Sequence, residues 1–560
     1  MNRREFIQKS MLAGAGALIL PKWLMGAPEV LTPSRVRKST ALGDLIFKPY
    51  FVLKGRGPHL LDWAYASDKN WDAFHSNITS SVKDGVRISD TEGVDKFGID
   101  VRWNVEGFGY IFITADNGGE FYSLPESGKE KSLNLNYELA KSRVIRNRKR
   151  QNKFQQEGFK PSRDTQAFID LSEDFLKDAE NVISNGERCG EFSQVSLYYA
   201  MWAGEKLEIE KADHEINKRG YRQGFFIGCD ARGFYQMDPD DFMESFIKLF
   251  NYATITHYLK STSYQDFEPT EGALQFDMRD VVLNRLRSHN ITVEGRPLFW
   301  SYKTVTPDWL RNKSYDDLRK YVEKHAKQVV SHYGDQMYAW EVVNEIHDWA
   351  NELKLSPDQI IEITKLACEA TKDANPKVKR LINNCCPFAE YVELKKWGDL
   401  DATYKQRTPH QFMQDLVDAG VDFNITGQQM YFPYRDLTDT IILIERLEKF
   451  GRPVQLTEVG ASSGPTANSI YTGRLPLPTE PYVWHRPWDE DLQADWIEGM
   501  YKLAYSKPWI EAINWYDFVD PYAWIKNGGL LASPQGEKKA GYDRLLKLQQ
   551  SWKSMPVRTK

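Results

Sequence analysis

Two short apolar segments of this chain end in a carboxylate. One is Trp340-Glu341-Val342-Val343-Asn344-Glu345, and the other is Val454-Gln455-Leu456-Thr457-Glu458. Short apolar runs of this kind read as buried parallel strands, so each terminal acid stands at the rim of a sheet. One such glutamate alone is most often a surface or salt-bridged group. Two of them facing across one mouth have a specific chemistry. One carboxylic acid protonates the oxygen leaving a glycosidic bond, and the other carboxylate acts as nucleophile or as base toward water. Carboxyl groups about 5 to 5.5 Å apart retain the anomeric configuration, and a gap of about 6.5 to 9.5 Å inverts it. Sequence spacing leaves that choice open. An ordinary Glu titrates near about 4.3, so the proton donor must be raised. Glu345 follows Trp340, Val342 and Val343, and desolvation together with the charge of Glu458 would raise it.

Such a meeting needs a scaffold that brings distant strand ends to one rim. From about residue 215, short apolar strands alternate with amphipathic helices. The strand candidates are 225–229, 250–254, 297–301, 338–343, 380–383, 422–427, 453–457 and 511–515. One helix candidate, 315–333, sets Leu318, Val322, Ala326 and Val329 on one face, and another, 436–450, is stopped by Gly451 and Pro453. Eight units predict an α/β fold, a C-terminal (β/α)8 TIM barrel over 215–555. No GxGxxG follows a strand, which disfavours a dinucleotide fold. In such a barrel, functional groups sit at the carboxyl ends of the strands. Strands four and seven lie on opposite sides of the ring, so Glu345 and Glu458 face one another across it.

Ahead of the barrel, residues 40–140 alternate Phe, Tyr, Val and Ile with turn residues, which predicts an all-β sandwich and a candidate carbohydrate-binding domain. Residues 141–214 read as a helical linker or packing segment. The basic run in it, Lys141, Arg143, Arg146, Arg148, Lys149, Arg150 and Lys153, reads as a solvated face, because no aromatics are interleaved. Residues 1–27 carry Arg3-Arg4 ahead of a short Gly/Ala-rich apolar stretch, the pattern of a twin-arginine signal, and predict an exported protein, periplasmic or secreted. That stretch is too short to span a bilayer, so no membrane span is expected. With 73 Lys and Arg against 78 Asp and Glu, the net charge of −5 offers no field for nucleic acid. Five Cys without a CxxC read as small core residues. Neither the ten His nor the sequence around Glu345 has metal-ligand spacing, so no metal and no cofactor is expected. Gly460-Ala461-Ser462-Ser463-Gly464 fits GxSxG, but Glu458 stands between the strand and the serine and no helix follows directly. His347 and Asp348 are even candidates for lining the pocket or for solvent-facing loop positions.

At these residues the chain resembles glycoside hydrolase family ten, the endo-β-1,4-xylanase-like family. The segment ending in Glu345 is similar to its acid/base strand and the segment ending in Glu458 to its nucleophile strand. Arg296-Pro297-Leu298-Phe299-Trp300, Thr306-Pro307-Asp308-Trp309, Phe267-Glu268-Pro269 with Glu271-Gly272, Gly427 to Gln429, and Trp515 to Trp524 support the likeness over about 215–550. The resemblance implies a retaining β-glycosidase acting by double displacement, with Glu345 as acid/base, Glu458 as nucleophile and Asn344 bonded to the sugar 2-hydroxyl. It implies a substrate site that includes Trp300, Gln429 and Lys260. The departures are Ser301 in place of His, Thr256 and His257 in place of a Glu-Asn pair, and Tyr431 in place of His. They fall in the subsites that hold the glycone. Six tryptophans, Trp300, Trp349, Trp484, Trp488, Trp515 and Trp524, lie at strand ends or in the loops beyond, and Trp515 and Trp524 are the favoured sugar platforms. The implied partner is a β-linked, xylan-like polysaccharide or oligosaccharide. The alternatives are a non-hydrolytic carbohydrate-binding protein on such a barrel and a related glycosidase with altered glycone specificity. Oligomeric state is unspecified.

Overall fold

Apolar and polar residues alternate along the first strands, and the reason is visible in what each face meets. The computed structural model describes residues 42–50, 61, 63–261, 265–397, 400–431, 433–464 and 482–557. The expected signal segment lies outside the described residues. The N-terminal strands are β1 (Asp44–Lys48), β2 (Ala64–Asp68), β3 (Ala73–Phe74), β4 (Asn77–Ser81), β5 (Gly85–Asp90), β6 (Phe97–Val105), β7 (Gly109–Ala115) and β8 (Glu130–Asn134). One sheet has the order β4-β5-β1-β8, and β7, β6, β2 and β3 form part of a second. Leu45, Phe47, Val86 and Ile88 of the first sheet share a core with Ile99, Val101, Trp103, Ile111 and Ile113 of the second. In β6 the intervening Asp100, Arg102 and Asn104 are also buried. Their face meets the rest of the chain instead of water: Arg435 Nη2 donates to Asp100 Oδ1 at 2.6 Å.

Three helices follow, Leu135–Gln156, Arg163–Asn181 and Gly186–Arg219. Asn134, Ser162 and Asn185 cap them, each side chain accepting a backbone N–H three residues on. The solvated reading of the basic run fails for three of its residues, while Lys149 and Lys153 are exposed. Arg143, Arg146 and Arg150 lie three and four residues apart, so they share one helical face, and that face is buried. Arg143 and Arg146 both donate to Asp439 Oδ1, at 2.8 and 3.1 Å, and Arg150 pairs with Glu208 at 2.6 Å. Charges at these positions persist in the interior because each has a carboxylate partner.

The second half closes into a barrel of eight parallel strands: β9 (Phe226–Asp230), β10 (Tyr252–Thr256), β11 (Thr292–Arg296), β12 (Ala339–Asn344), β13 (Lys379–Asn384), and, after a small hairpin β14 (Lys396–Trp397) and β15 (Leu400–Asp401), β16 (Ile425–Tyr431), β17 (Val454–Gly460) and, last, β19 (Ile510–Trp515). The ring order is β9-β10-β11-β12-β13-β16-β17-β19, closed by β19 pairing with β9. Between the last two comes β18 (Val483–Trp484), which leaves the barrel and pairs with β7 in the N-terminal sheet.

The third strand differs from expectation. It runs from Thr292 to Arg296, not over 297–301. Its interior positions carry Glu294 and Arg296, both buried, so the apolar run that marks a strand was displaced onto the loop beyond it. Gly295 is required in this strand, since a Cβ there would fall 2.2 Å from the Trp340 ring. No helix among the described residues is long and apolar enough to cross a membrane.

Candidate active site

Glu345 follows directly on β12, in the left-handed region at φ 55°. Its N–H donates to Asn383 O at 2.9 Å, and its carbonyl accepts from Ala350 N–H at 3.1 Å. A non-glycine residue held there is strained, and the turn it makes aims the side chain over the barrel mouth. Glu458 lies within β17, beside a register shift between Gln428 and Gln429 of β16. Such bulges re-aim neighbouring side chains.

Gln429 joins the two acids. Its Nε2 donates to Glu345 Oε1 at 2.8 Å and to Glu458 Oε1 at 3.0 Å. Those two oxygens are therefore no farther apart than the sum of the two distances, 5.8 Å. Glu458 Oε1 also accepts from Asn383 Nδ2 at 3.1 Å and from Arg296, and Oε2 accepts from the Tyr431 hydroxyl. Asn383 Nδ2 reaches Asn344 Oδ1 at 3.1 Å and Glu341 Oε2 at 2.9 Å as well. Burial is the main reason the Glu345 carboxyl is pushed up to about 8; the charge of Glu458 adds to it, while Gln429 and Arg296 oppose it. Beneath the pair, burial holds Glu341 well above the usual carboxylate range. The arrangement is one acid that keeps its proton near neutrality and one carboxylate fixed by several donors.

Glu345, Gln429, Glu458 and Arg296 line a cavity of about 480 Å³, with Trp300, Asn344, Trp349, Tyr431 and Trp524 also on its wall. Trp300 stacks on Tyr302, with centroids 5.1 Å apart. Trp524 stands at the rim, 52% exposed, its ring centroid 4.7 Å from that of Tyr431.

Three expected substrate contacts lie elsewhere. His257 is buried among Phe267, Tyr333 and Trp340, its ring nitrogens 2.9 Å from Ile255 O and 2.9 Å from the Tyr333 hydroxyl. Burial pushes its pKa well below the ordinary value, so it is a neutral packing group. Trp515 is fully buried, its indole N–H donating to Gly528 O at 3.0 Å, which makes it core and not a platform. Lys260 is exposed and outside the cavity lining. Trp484 and Trp488 are buried too. His347 and Asp348 brace loops: His347 meets the Tyr391 hydroxyl at 2.9 Å, and Asp348 Oδ2 accepts from Arg407 Nε at 2.8 Å. Ser462 in the GxSxG segment donates to Lys526 O at 2.6 Å.

The profile of glycosyl hydrolase family 10 matches residues 222–548. The chain belongs to glycosyl hydrolase family 10. Among the relatives of this family 10 chain, endo-1,4-beta-xylanase 1 of Arabidopsis thaliana is 23% identical over 344 residues, covering 60% of this chain and 32% of that protein. Endo-1,4-beta-xylanase A of Thermoanaerobacterium saccharolyticum is 27% identical over 261 residues, covering 43% of this chain and 21% of that protein. The chain thus spans about a third or less of the length of these relatives. The crystal structure of native xylanase 10B from Thermotoga maritima matches at 18% identity and a TM-score of 0.45, covering 61% of this chain and 98% of that one.

Sequence reasoning missed several residues of this family 10 site. Arg296 opens the apolar run 296–300 in the sequence, and in the structure it is a buried partner of Glu458 and stands 3.4 Å from Glu341. Asn383, the last residue of the expected strand 380–383, bonds to the side chains of Glu341, Asn344, Thr457 and Glu458. Arg232 and Tyr258 line the cavity with no motif to mark them, and Tyr516, inside the Trp515–Trp524 segment, lines it beside them. The available signal was the alternation Thr292-Val293-Glu294-Gly295-Arg296, which is a strand with charged side chains turned inward.

Proposed function

We propose that this chain is a retaining β-glycoside hydrolase that cleaves by double displacement. The observation that carries the reading is the shared Gln429 amide, which limits the facing oxygens of Glu345 and Glu458 to 5.8 Å. That limit on the facing oxygens lies below the gap of about 6.5 to 9.5 Å of the inverting arrangement, which supports the retaining reading.

Glu458 attacks the anomeric carbon, the bond from that carbon to the bridging oxygen breaks, and Glu345 gives its proton to the departing oxygen. The product of this step is a glycosyl ester on Glu458 and a free alcohol. Forming the ester removes the charge that helped to raise Glu345, so its acidity increases as its role reverses. Glu345 then takes a proton from water, the water oxygen bonds to the anomeric carbon, and the bond to Glu458 breaks. Asn344, held by Asn383, lies on the cavity wall where a sugar 2-hydroxyl would be met.

The substrate we favour is a β-1,4-linked, xylan-like polysaccharide or oligosaccharide. Support comes from family membership and from the activity named for the relatives. We further read the N-terminal sheets as a sandwich, supported by the core they share. Export is proposed from the Arg3-Arg4 leader alone.

The test is turnover of aryl β-glycosides by wild type, Glu345→Ala and Glu458→Ala. Both variants should lose several orders of magnitude. Azide should restore part of the rate in each, giving a β-glycosyl azide from Glu345→Ala and an α-glycosyl azide from Glu458→Ala. Full activity in either variant would overturn the assignment.

A further inference from the structure

Two stretches of the cavity wall are held from outside the barrel. Cys385, Cys386 and Pro387, just beyond β13, and Tyr434, beyond β16, line the cavity. Their supports come from the N-terminal sheets. Phe112 N–H of β7 donates to Tyr434 O at 2.9 Å. The next residue, Arg435, reaches into the second sheet: Nη2 donates to Asp100 Oδ1 of β6 at 2.6 Å and to the Tyr65 hydroxyl of β2, and Nη1 donates to Thr114 Oγ1 of β7 at 2.9 Å. Asp100 is fixed in turn, its Oδ2 accepting from Ser67 Oγ at 2.9 Å. The same guanidinium lies 4.4 Å over the ring of Phe388, one residue after Pro387, so a single cation ties both stretches to β6. Farther along the first stretch, Ser76 donates from its N–H and its hydroxyl to Glu393 Oε2 at 3.0 and 3.1 Å.

This wall adjoins the proton donor. The Glu345 N–H bonds to Asn383 O, two residues before Cys385. The barrel strands fix where each stretch starts, but segments beyond strand ends are the adaptable part of such a scaffold. Charge-assisted hydrogen bonds in a buried network supply the missing constraint.

We propose that Asp100 is a positioning residue for the leaving-group side of the site: through Arg435 it sets Tyr434 and the 385–388 segment where the departing sugar is held. The inference rests on Glu345 being the acid of a glycosidase, because the acid fixes which part of the wall receives the departing oxygen. It makes the N-terminal sheets part of the machinery that holds the leaving sugar. Arg435 has a competing partner, since Asp439 Oδ2 stands 3.9 Å from its Nη1. Without Asp100 the guanidinium is drawn toward that carboxylate, and Tyr434 and Phe388 shift with it.

The experiment compares, in the full chain, two substrates that share a glycone. Xylotetraose cut into two xylobioses has a sugar leaving group, whereas 2,4-dinitrophenyl β-xylobioside has one that needs neither a proton nor a sugar's contacts; cellotetraose and 2,4-dinitrophenyl β-cellobioside make a second pair. For the pair that wild type turns over, the sugar-to-aryl ratio of kcat/KM should fall about tenfold or more in Asp100→Ala, since a misplacement of about 1 Å can cost about 10²-fold. Asp100→Asn keeps an oxygen for Arg435 and should stay within about twofold of wild type. Tyr65→Phe removes one acceptor from Arg435 and should lower the ratio about threefold or more, which keeps the test decisive if Asp100→Ala does not fold. His257→Leu, destabilised away from this wall, should keep the wild-type ratio. A ratio unchanged in the Asp100→Ala and Tyr65→Phe variants, or falling equally in His257→Leu, would overturn this inference alone. No wild-type turnover of either pair would overturn the glycosidase reading, and this inference with it.

Discussion

Glu345 and Glu458 accept hydrogen bonds from one and the same nitrogen, Gln429 Nε2, at 2.8 and 3.0 Å. The amide therefore acts as a gauge that sets the gap between the acids. Removing it frees both carboxyls and takes away two hydrogen bonds to a reacting pair. With about 1.5 to 3 kcal/mol for the bond to charged Glu458 and about 0.5 to 1.5 kcal/mol for the bond to protonated Glu345, and about 1.4 kcal/mol per tenfold, Gln429→Ala should lower kcat/KM by roughly 30-fold to 10³-fold. Steady-state kinetics on an aryl glycoside checks this, and a loss smaller than about threefold would contradict it.

The Glu345 carboxyl, pushed up to about 8, predicts an alkaline limb near that pH in kcat/KM, since the free enzyme must hold the proton. The sign for stability follows from the same shift. Between the ordinary Glu range and about 8 the folded chain binds a proton that the unfolded chain has lost, so this group's contribution to stability falls as pH rises through that window. Glu345→Gln should remove the alkaline limb on substrates whose leaving group needs no proton. It should also raise Tm relative to wild type more at pH 8 than at pH 5. Thermal unfolding at the two pH values measures it, and an unchanged difference would count against the raised acid.

Tyr431 donates its hydroxyl to Glu458, and His257 touches neither acid. Tyr431→Phe should therefore cost roughly tenfold to a hundredfold in kcat/KM, one charge-assisted hydrogen bond, with little change in Tm. His257→Leu should do the reverse. It strands the Tyr333 hydroxyl in the core and should cost about 1 to 3 kcal/mol of stability while the surviving folded enzyme turns over normally. Parallel kinetics and denaturant melts separate the two.

Arg143 is fully buried against Asp436 and Asp439. Replacing it by Met takes from Asp436 its ion-pair partner, while Asp439 keeps Arg146, and breaking a buried pair this way costs about 3 to 5 kcal/mol. Chemical denaturation should show that loss, whereas Lys177→Met, in an exposed pair with Asp174, should change stability by less than about 1 kcal/mol.

Glu345 and Glu458 are legible because each closes an apolar run in the sequence, and the carboxyl-terminal part of a strand has a fixed place in a closed barrel. Burial of polar groups was not legible. Arg143 reads as a solvated charge until Asp436, 293 residues away, is folded against it. Glu294 and Arg296 conceal the third strand for the same reason: their partners, Tyr252 and Glu458, come from other strands. His257 and Trp515 show the converse. Their residue types suit a sugar site, but residue type alone does not separate a ring at the barrel mouth from one in its wall. Tyr431 stands two positions after Gln429 in the sequence, and the same register brings its hydroxyl to Glu458.

The most direct test of the central claim is proton NMR of the first sugar released from a β-linked substrate, recorded before mutarotation. With the facing oxygens of the two acids within 5.8 Å, the double-displacement proposal predicts that the β-anomer appears first and the α-anomer only later. Initial release of the α-anomer would require a water between the acids and would contradict the account.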